Sequence, residues 1–459
     1  MDAVQQAADT YRLIVTRRNA TEILLLPVGH SWVLPRVEIE RHQRVAEQLT
    51  TEAARAWGME TCCLFVPPAA PGRAEQAACA VLEPVGQNAA PPGSARWLPS
   101  AAAAQYCDSA EAAAVGNALT ETRAYVTGQK RGPFARPGWV RELFIWANEQ
   151  LAPLGLRLTG KFEQLNASPT FALVRLEVEQ GAVWFKATGE PNAHELPVTA
   201  ELARIFPRYL PPIFGIHSEW NGWLSAEARG VSLDKTRELR VWERVAASLA
   251  QFQIESIEET DRLLASQLKD LRPAILIKCV DPFVSRMSDF MAVQEKADPA
   301  PLASSELTAL SKMLRDSCTA LESVGLPNTV GHTDFNPGNI VVSDDRCVFL
   351  DWAEGCVANP ALTFEYVRVH MRRCGIDHPT AVERLASAYL RPWTAFYAPE
   401  KLKETLALAP LLAVFAFAVS TDSWRAVDPA VTPALAGYFR ALTRRMYREA
   451  IQAAGRSAS

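Results

Sequence analysis

The chain has 459 residues, which predicts two or three domains rather than one. Hydrophobic residues make up 49% of the chain and charged residues 21%, a composition typical of a globular protein with ample material for a core. The formal net charge is −4 and no Lys/Arg-dense stripe is present, which argues against nucleic acid as a partner.

The nine cysteines are scattered without the spacing of metal ligands. Since adjacent residues of a strand face opposite ways, Cys62 and Cys63 would bridge poorly, and we expect reduced thiols in a cytoplasm. Residues 1–6 show no basic region followed by an apolar run, so no secretory signal is predicted. The longest apolar run, 406–419, contains Pro410 and is too short to span a bilayer, so we expect a buried helix and no membrane partner.

Residues 1–127 are predicted to form an α/β domain. A helix from about Glu40 to Trp57 should end at Gly58, because glycine adopts the left-handed conformation common after a helix. Pro/Gly/Ala-rich loops such as 67–72 separate the elements. The predicted strands cover 11–16, 23–27, 61–66 and 77–82, and a helical region covers 98–125.

Residues 128–138 are predicted to be a linker, because Pro and Gly suit neither helix nor strand interiors. Residues 139–228 should form a small strand-rich lobe, with a helix from Trp139 and an antiparallel pair at 171–178 and 182–186. Residues 229–459 should form a larger, mainly helical lobe interrupted by a hairpin around 340–352. The expected fold class is α+β, with two lobes and a nucleotide cleft between them.

The most informative segment is 331–342, which places Asp334 five residues before Asn339. A short hairpin with its turn at 343–345 then leads to Asp351. Phosphoryl transfer from ATP needs these groups: one carboxylate accepts the hydroxyl proton, while an amide and a second carboxylate hold the metal that bridges the phosphates. Each residue alone could serve a turn or strand end, but their combination predicts a phosphotransferase.

The motif resembles the aminoglycoside phosphotransferase and choline kinase group, relatives of the protein kinases, over roughly residues 139–450. The resemblance implies a protein-kinase-like fold, ATP as phosphoryl donor and Mg²⁺. It makes Asp334 the catalytic base, with His332 packing to hold the catalytic loop, and makes Asn339 and Asp351 the magnesium ligands.

Lys186 lies among apolar neighbours in a predicted strand, and a buried cation needs partners. The resemblance makes it the lysine that anchors the phosphates; a solvated strand-end lysine is the alternative. Glu195 and Glu201 both lie on the following predicted helix, and the resemblance favours Glu195 as the partner of Lys186.

Two features depart from the family pattern. A third, the connector between the lobes, is weak evidence, because backbone contacts tolerate most sequences. The phosphate loop 166–170 contains no glycine, and Ser168 is the candidate phosphate contact. The lobe connector should include Ser225, Ala226 and Glu227, whose backbone would contact adenine. Thr363 stands where relatives carry an Asp, which puts the bracing of the large lobe in doubt more than the chemistry.

The N-terminal region resembles a Nudix domain in its Trp32–Pro35 stretch and in the helix that ends at Trp57. Nudix hydrolases need several glutamates on that helix to hold magnesium. Only Glu52 survives there, since Arg55 and Ala56 occupy the other positions and Arg36 replaces a glycine. We therefore expect a degenerate Nudix-like domain without hydrolase activity; a generic α/β domain is the alternative.

The sequence thus predicts a small-molecule kinase that transfers the γ-phosphoryl group of ATP to a hydroxyl, as aminoglycoside phosphotransferases do. The alternative is a catalytically inactive, nucleotide-binding regulatory or interaction module. The acceptor and the oligomeric state are left open. Five aromatic residues in the C-terminal helices could stack on an acceptor, although core packing is the commoner role of such residues: Trp393, Phe396, Tyr397, Phe415 and Trp424.

Overall fold

The structure, a computed structural model, describes residues 8–41, 43–67, 78–86, 90 and 93–457. Some of the expectations stated above fall on residues 1–6, on residue 77 and on most of the loop 67–72, which lie outside the described residues. The chain divides into two compact units. The first comprises Met1–Leu196 and Pro212–Glu227, and the second Pro197–Pro211 and Ala228–Ser459.

The first unit is built mainly of strands. Its strands are β1 Ala8–Arg17, β2 Glu22–Val28, β3 Ser31–Val33, β4 Arg36–Glu40, β5 Thr61–Phe65, β6 Ala78–Pro84, β7 Arg96–Pro99, β8 Leu158–Ala167, β9 Ala172–Val178, β10 Gly181–Ala187, β11 Ile213–His217 and β12 Gly222–Ala226. Its helices are α1 Val45–Trp57, α2 Ala103–Tyr106, α3 Ser109–Val126 and α4 Trp139–Leu151, and α5 Glu195–Ile205 begins in this unit.

The N-terminal sheet has the strand order β3-β2-β1-β6-β5, with β4 added beside β1 and β7 beside β2. The predicted helix start near Glu40 is wrong, because Val37 and Ile39 are buried alternately in β4, and α1 begins only at Val45. The predicted helix end is confirmed: Gly58 has φ 61°, in the left-handed region.

The second sheet of this unit is antiparallel, with the order β11-β12-β10-β9-β8. The predicted pair of strands around Gly181 is confirmed, and Lys186 on β10 lies opposite Leu173 on one side and Trp223 on the other. Val174, Leu176 and Val178 are buried on one face of β9, as the apolar alternation indicates.

One apolar cluster joins the N-terminal sheet to the second sheet within the first unit. Residues such as Ile14 and Val81 belong to this cluster together with Val174 and Phe185. The segment predicted as a linker contains the 3₁₀ turn Pro133–Ala135, in which Phe134 and Ala135 are buried in the same cluster. The N-terminal region and the β8–β12 sheet therefore share a core.

The second unit is mainly helical. Its helices are α6 Leu239–Glu255, α7 Thr260–Ala265, α8 Pro273–Ala292, α9 Ser304–Val324, α10 Pro360–Arg373, α11 Pro379–Trp393, α12 Pro399–Val419, α13 Ser423–Ala426 and α14 Pro433–Ser457. Its short strands are β13 Val231–Ser232, β14 Lys269–Leu271, β15 Thr329–His332, β16 Ile340–Val342, β17 Cys347–Phe349 and β18 Gly355–Ala358. They form two three-stranded sheets, β13-β16-β17 and β14-β18-β15.

Helix α12 is the one helix in the described part of the chain that is long and apolar enough to cross a membrane by length and composition. Its most apolar stretch has a mean hydropathy of 1.8, and 67% of that stretch is buried inside the protein. Leu412 and Phe415 at its centre belong to the core of the second unit. The expected buried helix is therefore observed.

Candidate functional site

His332 closes strand β15 and orders the loop that follows it. The side chain is buried at 1% exposure. Its Nδ1 accepts a hydrogen bond from the backbone N–H of Asp334 at 3.0 Å, and its Nε2 lies 2.6 Å from the backbone oxygen of Asp351. Because an amide only donates and a carbonyl only accepts, the ring must be neutral and protonated at Nε2.

The environment of His332 favours the same neutral state. Burial lowers the pKa of His332, and the nearby carbonyl and carboxylates of Asp351 and Asp334 only partly oppose this shift. A neutral imidazole with both nitrogens hydrogen-bonded holds the loop at Asp334 and the loop at Asp351 in a fixed relative position. The His332 side chain thus bonds to the backbone of both Asp334 and Asp351.

Thr363 on α10 holds His332 from behind. Its hydroxyl accepts the backbone N–H of His332 at 2.9 Å. It also lies 3.5 Å from the backbone oxygen of His332. Gly331 provides the room, since a Cβ at that position would lie 2.8 Å from the hydroxyl oxygen of Thr363. The loop therefore bonds to a hydroxyl at the position where the resemblance led us to expect a carboxylate.

Asp334 presents an exposed side chain at the start of the loop. Within the described residues its carboxylate makes no hydrogen bond or ion pair, while its backbone oxygen accepts the N–H of Asn336 at 2.7 Å. The backbone is thus fixed at both ends, and the carboxylate remains open to solvent. An exposed carboxylate of this kind is accessible to a substrate.

The hairpin returns the chain so that Asn339 and Asp351 meet. Strands β16 and β17 pair in register, and the N–H of Leu350 donates to the backbone oxygen of Asn339 at 2.9 Å. The carboxamide nitrogen of Asn339 lies 3.3 Å from Oδ2 of Asp351. The predicted hairpin, and the approach of these two side chains, are therefore observed.

Asp351 has an unusual backbone conformation. Its φ is 64° and its ψ 67°, in the left-handed region that a non-glycine residue enters at an energetic cost. The carbonyl of this residue is the one that His332 holds. A strained residue kept in place by a buried hydrogen bond is common at functional sites.

The Asn339 and Asp351 side chains fit a magnesium ion by the chemistry of their donors. Both offer oxygen atoms, and Mg²⁺ is typically bound by one or two protein groups with phosphate and water as its other ligands. The described residues contain no group of three or more His, Cys, Asp or Glu side chains placed to hold a metal. A metal bound by Asn339 and Asp351 would therefore share its coordination with a substrate.

Lys186 pairs with Glu195 rather than Glu201. The Nζ of Lys186 lies 2.5 Å from Oε1 of Glu195, with the side chains 14% and 1% exposed. Glu201 instead pairs with Arg204 and Arg262. Of the two glutamates left open by the sequence, the structure therefore brings Glu195 to Lys186.

Ser168 lies in the short loop between β8 and β9. Its hydroxyl oxygen accepts the backbone N–H of Thr170 at 3.3 Å. A Cβ at Gly189 would lie only 2.6 Å from Cβ of Thr170, so the segment that follows β10 passes close to this loop. The loop thus has a defined position in the first unit although it contains no glycine.

Ser225 and Ala226 form the end of β12, and Glu227 follows them. Ser225 is buried, and the N–H of Ala226 donates to the backbone oxygen of Pro212 at 2.9 Å. The carboxylate of Glu227 accepts from Arg175 at 2.6 Å and from the indole of Trp184 at 3.2 Å. The Glu227 side chain is therefore engaged in holding the sheet.

The charge of Asp334 contributes to the pKa of three groups that the sequence did not indicate. Burial raises the pKa of Tyr366 and of Tyr438, and the charge of Asp334 adds to both shifts. Burial lowers the pKa of His370, and the charge of Asp334 partly opposes this decrease. The charge of Arg445 acts on the same three groups.

The aromatic residues considered as acceptor contacts are mostly core. Trp393, Phe415 and Trp424 are buried, as the commoner interpretation predicts. Phe396 is 65% exposed.

The altered Nudix-like positions are occupied by ion pairs. Arg55 lies 2.6 Å from Glu52, the one surviving acidic residue of that pattern. Arg36 lies 3.0 Å from the buried Glu111, whose other oxygen accepts the N–H of Leu34 at 3.1 Å. The Nudix-like resemblance itself stays a prediction.

Several solved structures match part of this chain at low sequence identity. Macrolide 2'-phosphotransferase from Brachybacterium faecium is 17% identical with a TM-score of 0.41, over 62% of this chain and 96% of that chain. Choline kinase from Cryptosporidium parvum is 11% identical with a TM-score of 0.45, over 64% of this chain and 89% of that chain. Ethanolamine kinase from Plasmodium vivax is 14% identical with a TM-score of 0.43, over 67% of this chain and 86% of that chain.

A comparison with proteins of curated function found no match. Residues 223–404 match the family model described as the phosphotransferase enzyme family, APH. This match contains His332, Asp334, Asn339 and Asp351, so the predicted resemblance is confirmed over these residues. The segment 223–404 is therefore similar to the phosphotransferase enzyme family.

Proposed function

We propose that this protein is an ATP-dependent phosphotransferase that moves the γ-phosphoryl group of ATP to a hydroxyl of a small molecule. The observation that carries the proposal is the network of His332, which bonds to the backbone of both Asp334 and Asp351. The buried His332 ring thereby fixes the backbone of Asp334, whose carboxylate is exposed, and the backbone of Asp351, whose side chain lies beside that of Asn339. The family match over residues 223–404 supports the same chemistry.

In this reaction, the acceptor oxygen forms a bond to the γ-phosphorus while the bond from that phosphorus to the ADP oxygen breaks. The proton of the acceptor hydroxyl passes to the carboxylate of Asp334, which is exposed and makes no ion pair within the described residues. Asp334 also orients the hydroxyl for in-line attack, since positioning supplies much of the catalysis in phosphoryl transfer.

Asn339 and Asp351 would hold Mg²⁺ through their oxygen atoms. When bound, this ion neutralises the negative charge of the phosphates and of the transferring group. The ammonium group of Lys186, fixed by Glu195 at 2.5 Å, would contact phosphate oxygens. The hydroxyl of Ser168 and the backbone of residues 225–227 would bind the remainder of the nucleotide.

We also propose a fold for the N-terminal region, limits for the domains and a cellular location. The N-terminal region would be a degenerate Nudix-like domain, since its surviving Glu52 is paired with Arg55. The domain limits would be 1–127, a linker 128–138, a small lobe 139–228 and a large lobe 229–459. A cytoplasmic location is supported by the nine cysteines, all of them free in the described chain.

The test is transfer of the γ-phosphoryl group from labelled ATP to a panel of small hydroxyl compounds that includes aminoglycosides, macrolides, choline, sugars and amino acids. Wild type should phosphorylate at least one class, and Asp334→Asn should bind magnesium-ATP without transferring. Binding by wild type without transfer to any compound or to water would favour the inactive nucleotide-binding module.

A further inference from the structure

The segment Gly132–Phe134 lies directly against the loop Ser168–Thr170, here called the Ser168 loop. The backbone N–H of Phe134 donates to the carbonyl of Pro169 at 3.2 Å. A Cβ at Gly132 would lie 2.7 Å from Cβ of Pro169 and 2.8 Å from the ring of Tyr125. These atoms belong to stiff rings, so only glycine fits here without displacing the loop.

The same segment supports the strand that carries Lys186. The ring of Phe134 is 2% exposed and meets the ring of Phe185 edge-on at 6.2 Å between centroids. Phe185 directly precedes Lys186, and neighbouring residues of a strand face opposite ways. Phe134 therefore packs behind β10, while its backbone holds the Ser168 loop. The Ser168 loop and the strand that carries Lys186, both of which are assigned to the phosphates, are therefore supported by the same segment, Gly132–Phe134.

Residues of the N-terminal domain contact this segment and the neighbouring strand β8. Tyr125, which contacts Gly132, lies in the last turn of helix α3, and its ring centroid is 5.5 Å from that of Phe65 on β5. The carboxamide of Gln164 on β8 accepts the N–H of Cys63 at 2.7 Å and donates to the Cys63 carbonyl at 2.8 Å. Gln164 is 3% exposed, so this double hydrogen bond is shielded from water.

A loop that binds phosphate gains affinity when it is already in its bound conformation, because less conformational entropy is lost on binding. The Ser168 loop contains no glycine, and its contacts with Gly132, Phe134 and Tyr125 fix it from behind. We propose that the end of the N-terminal domain and the segment that follows it act as a brace that positions the Ser168 loop for the phosphates of the nucleotide. The brace comprises Tyr125 and the segment Gly132–Phe134.

This inference gives the N-terminal domain a role in nucleotide affinity without any chemistry of its own. It rests on the proposed function, since it treats the Ser168 loop as a phosphate contact. Tyr125 and Gly132 are positioning residues, because they act through Pro169. A purely structural role predicts instead that changes in the brace alter the unfolding temperature and leave the nucleotide Kd unchanged.

The test compares Gly132→Ala with the matched control Gly116→Ala. Gly132 has φ 171°, an extended conformation open to any residue, so alanine acts there only through its contact with Pro169 and Tyr125. Gly116 is exposed on α3, and a Cβ there meets nothing within 4 Å. The Kd for magnesium-ATP is measured by calorimetry, together with thermal unfolding of each variant without nucleotide.

Gly132→Ala should raise the Kd by about tenfold, because small displacements of binding groups carry large penalties. The control should keep the wild-type Kd. Equal Kd values in Gly132→Ala and wild type would overturn the inference alone. Failure of wild type to bind magnesium-ATP would overturn the proposed function and the inference with it.

Tyr125→Leu provides a second test if Gly132→Ala does not fold, because it removes atoms beside the Ser168 loop instead of adding one. This variant should also raise the Kd. In wild type, nucleotide should slow hydrogen exchange of the Phe134 amide, which bonds to Pro169. A wild-type Kd in Tyr125→Leu together with unchanged exchange at Phe134 would contradict the brace.

Discussion

The backbone N–H of Asp334 donates to Nδ1 of His332 at 3.0 Å, and the opposite nitrogen of that ring lies 2.6 Å from the carbonyl of Asp351. The two acidic residues are 17 positions apart in sequence, yet one buried imidazole fixes the backbone of both. Since a hydrogen bond in a buried site resists competition from water, this ring sets the relative position of the two loops. The chemistry assigned to Asp334 and Asp351 depends on that geometry.

Asp334→Asn should lower turnover by about 10²- to 10⁴-fold, the usual contribution of a general base. The substitution keeps the size of the side chain and the two backbone hydrogen bonds of residue 334. Binding of magnesium-ATP and the unfolding temperature should therefore stay near wild type. Asp344→Asn, in the exposed hairpin turn, is the matched control. Turnover in Asp334→Asn within a factor of two of this control would remove Asp334 from the role of base.

Thr363→Val should destabilise the second unit and reduce turnover, because the buried N–H of His332 loses its acceptor at 2.9 Å. A buried donor left without a partner costs about 1–3 kcal/mol. Thr363→Ser keeps the hydroxyl and should retain most of the stability and activity. Chemical denaturation and turnover of both variants give the comparison, and equal losses in the two would show that the hydroxyl is unimportant.

Glu195→Ala should weaken magnesium-ATP binding and lower the free energy of unfolding by about 3 kcal/mol, the typical cost of removing one partner of a buried ion pair. The carboxylate removed lies 2.5 Å from the Lys186 ammonium, which would then be held less firmly. Glu201→Ala disrupts only the more exposed pairs with Arg204 and Arg262, so its nucleotide Kd should match wild type. The reverse order of nucleotide affinities would reassign the lysine partner to Glu201.

Glu83→Gln should be at least as stable as wild type at pH 7. Burial raises the pKa of Glu83, although its carboxylate accepts the N–H of Gly138 at 2.7 Å. Since the folded pKa is higher than the unfolded one, wild type gains stability as the pH falls through the folded pKa toward the ordinary value of 4.5. The advantage of Glu83→Gln in urea denaturation should thus shrink from pH 7 to pH 4.5; an advantage that grows would reverse the sign of the pKa shift.

The loop that follows β15 and the hairpin after it were predictable because their residues are close in sequence. The segment 331–342 and the hairpin turn determine where Asn339 returns to Asp351, at 3.3 Å, without any distant contact. The strand pair around Gly181 was also predictable, since alternating burial is a local pattern. The sequence left Glu195 and Glu201 open because they are six residues apart at the start of one helix, and only packing decides which faces Lys186.

The features that sequence reasoning missed depend on distant contacts. Gln164 and Cys63 are 101 residues apart, and no periodicity predicts that a side-chain amide will bond to a strand backbone. Thr363 and His332 are 31 residues apart, so the replacement of a carboxylate by a hydroxyl could be judged only with both in place. The predicted start of α1 at about Glu40 falls on the last residue of β4, because the pairing of Glu40 with Ala8 of β1 is a distant contact that no local pattern shows.

The most direct test of the central claim is thermal unfolding of wild type and Asp351→Asn, with and without magnesium-ATP. Asparagine suits the left-handed backbone of residue 351 and removes the negative charge that would hold the metal. Wild type should be stabilised only when magnesium and ATP are both present, by about 2.7 kcal/mol at a hundred times the Kd. Asp351→Asn should lose most of that stabilisation. Absence of any shift in wild type at millimolar magnesium-ATP, or an equal shift in both proteins, would contradict the assignment of this site.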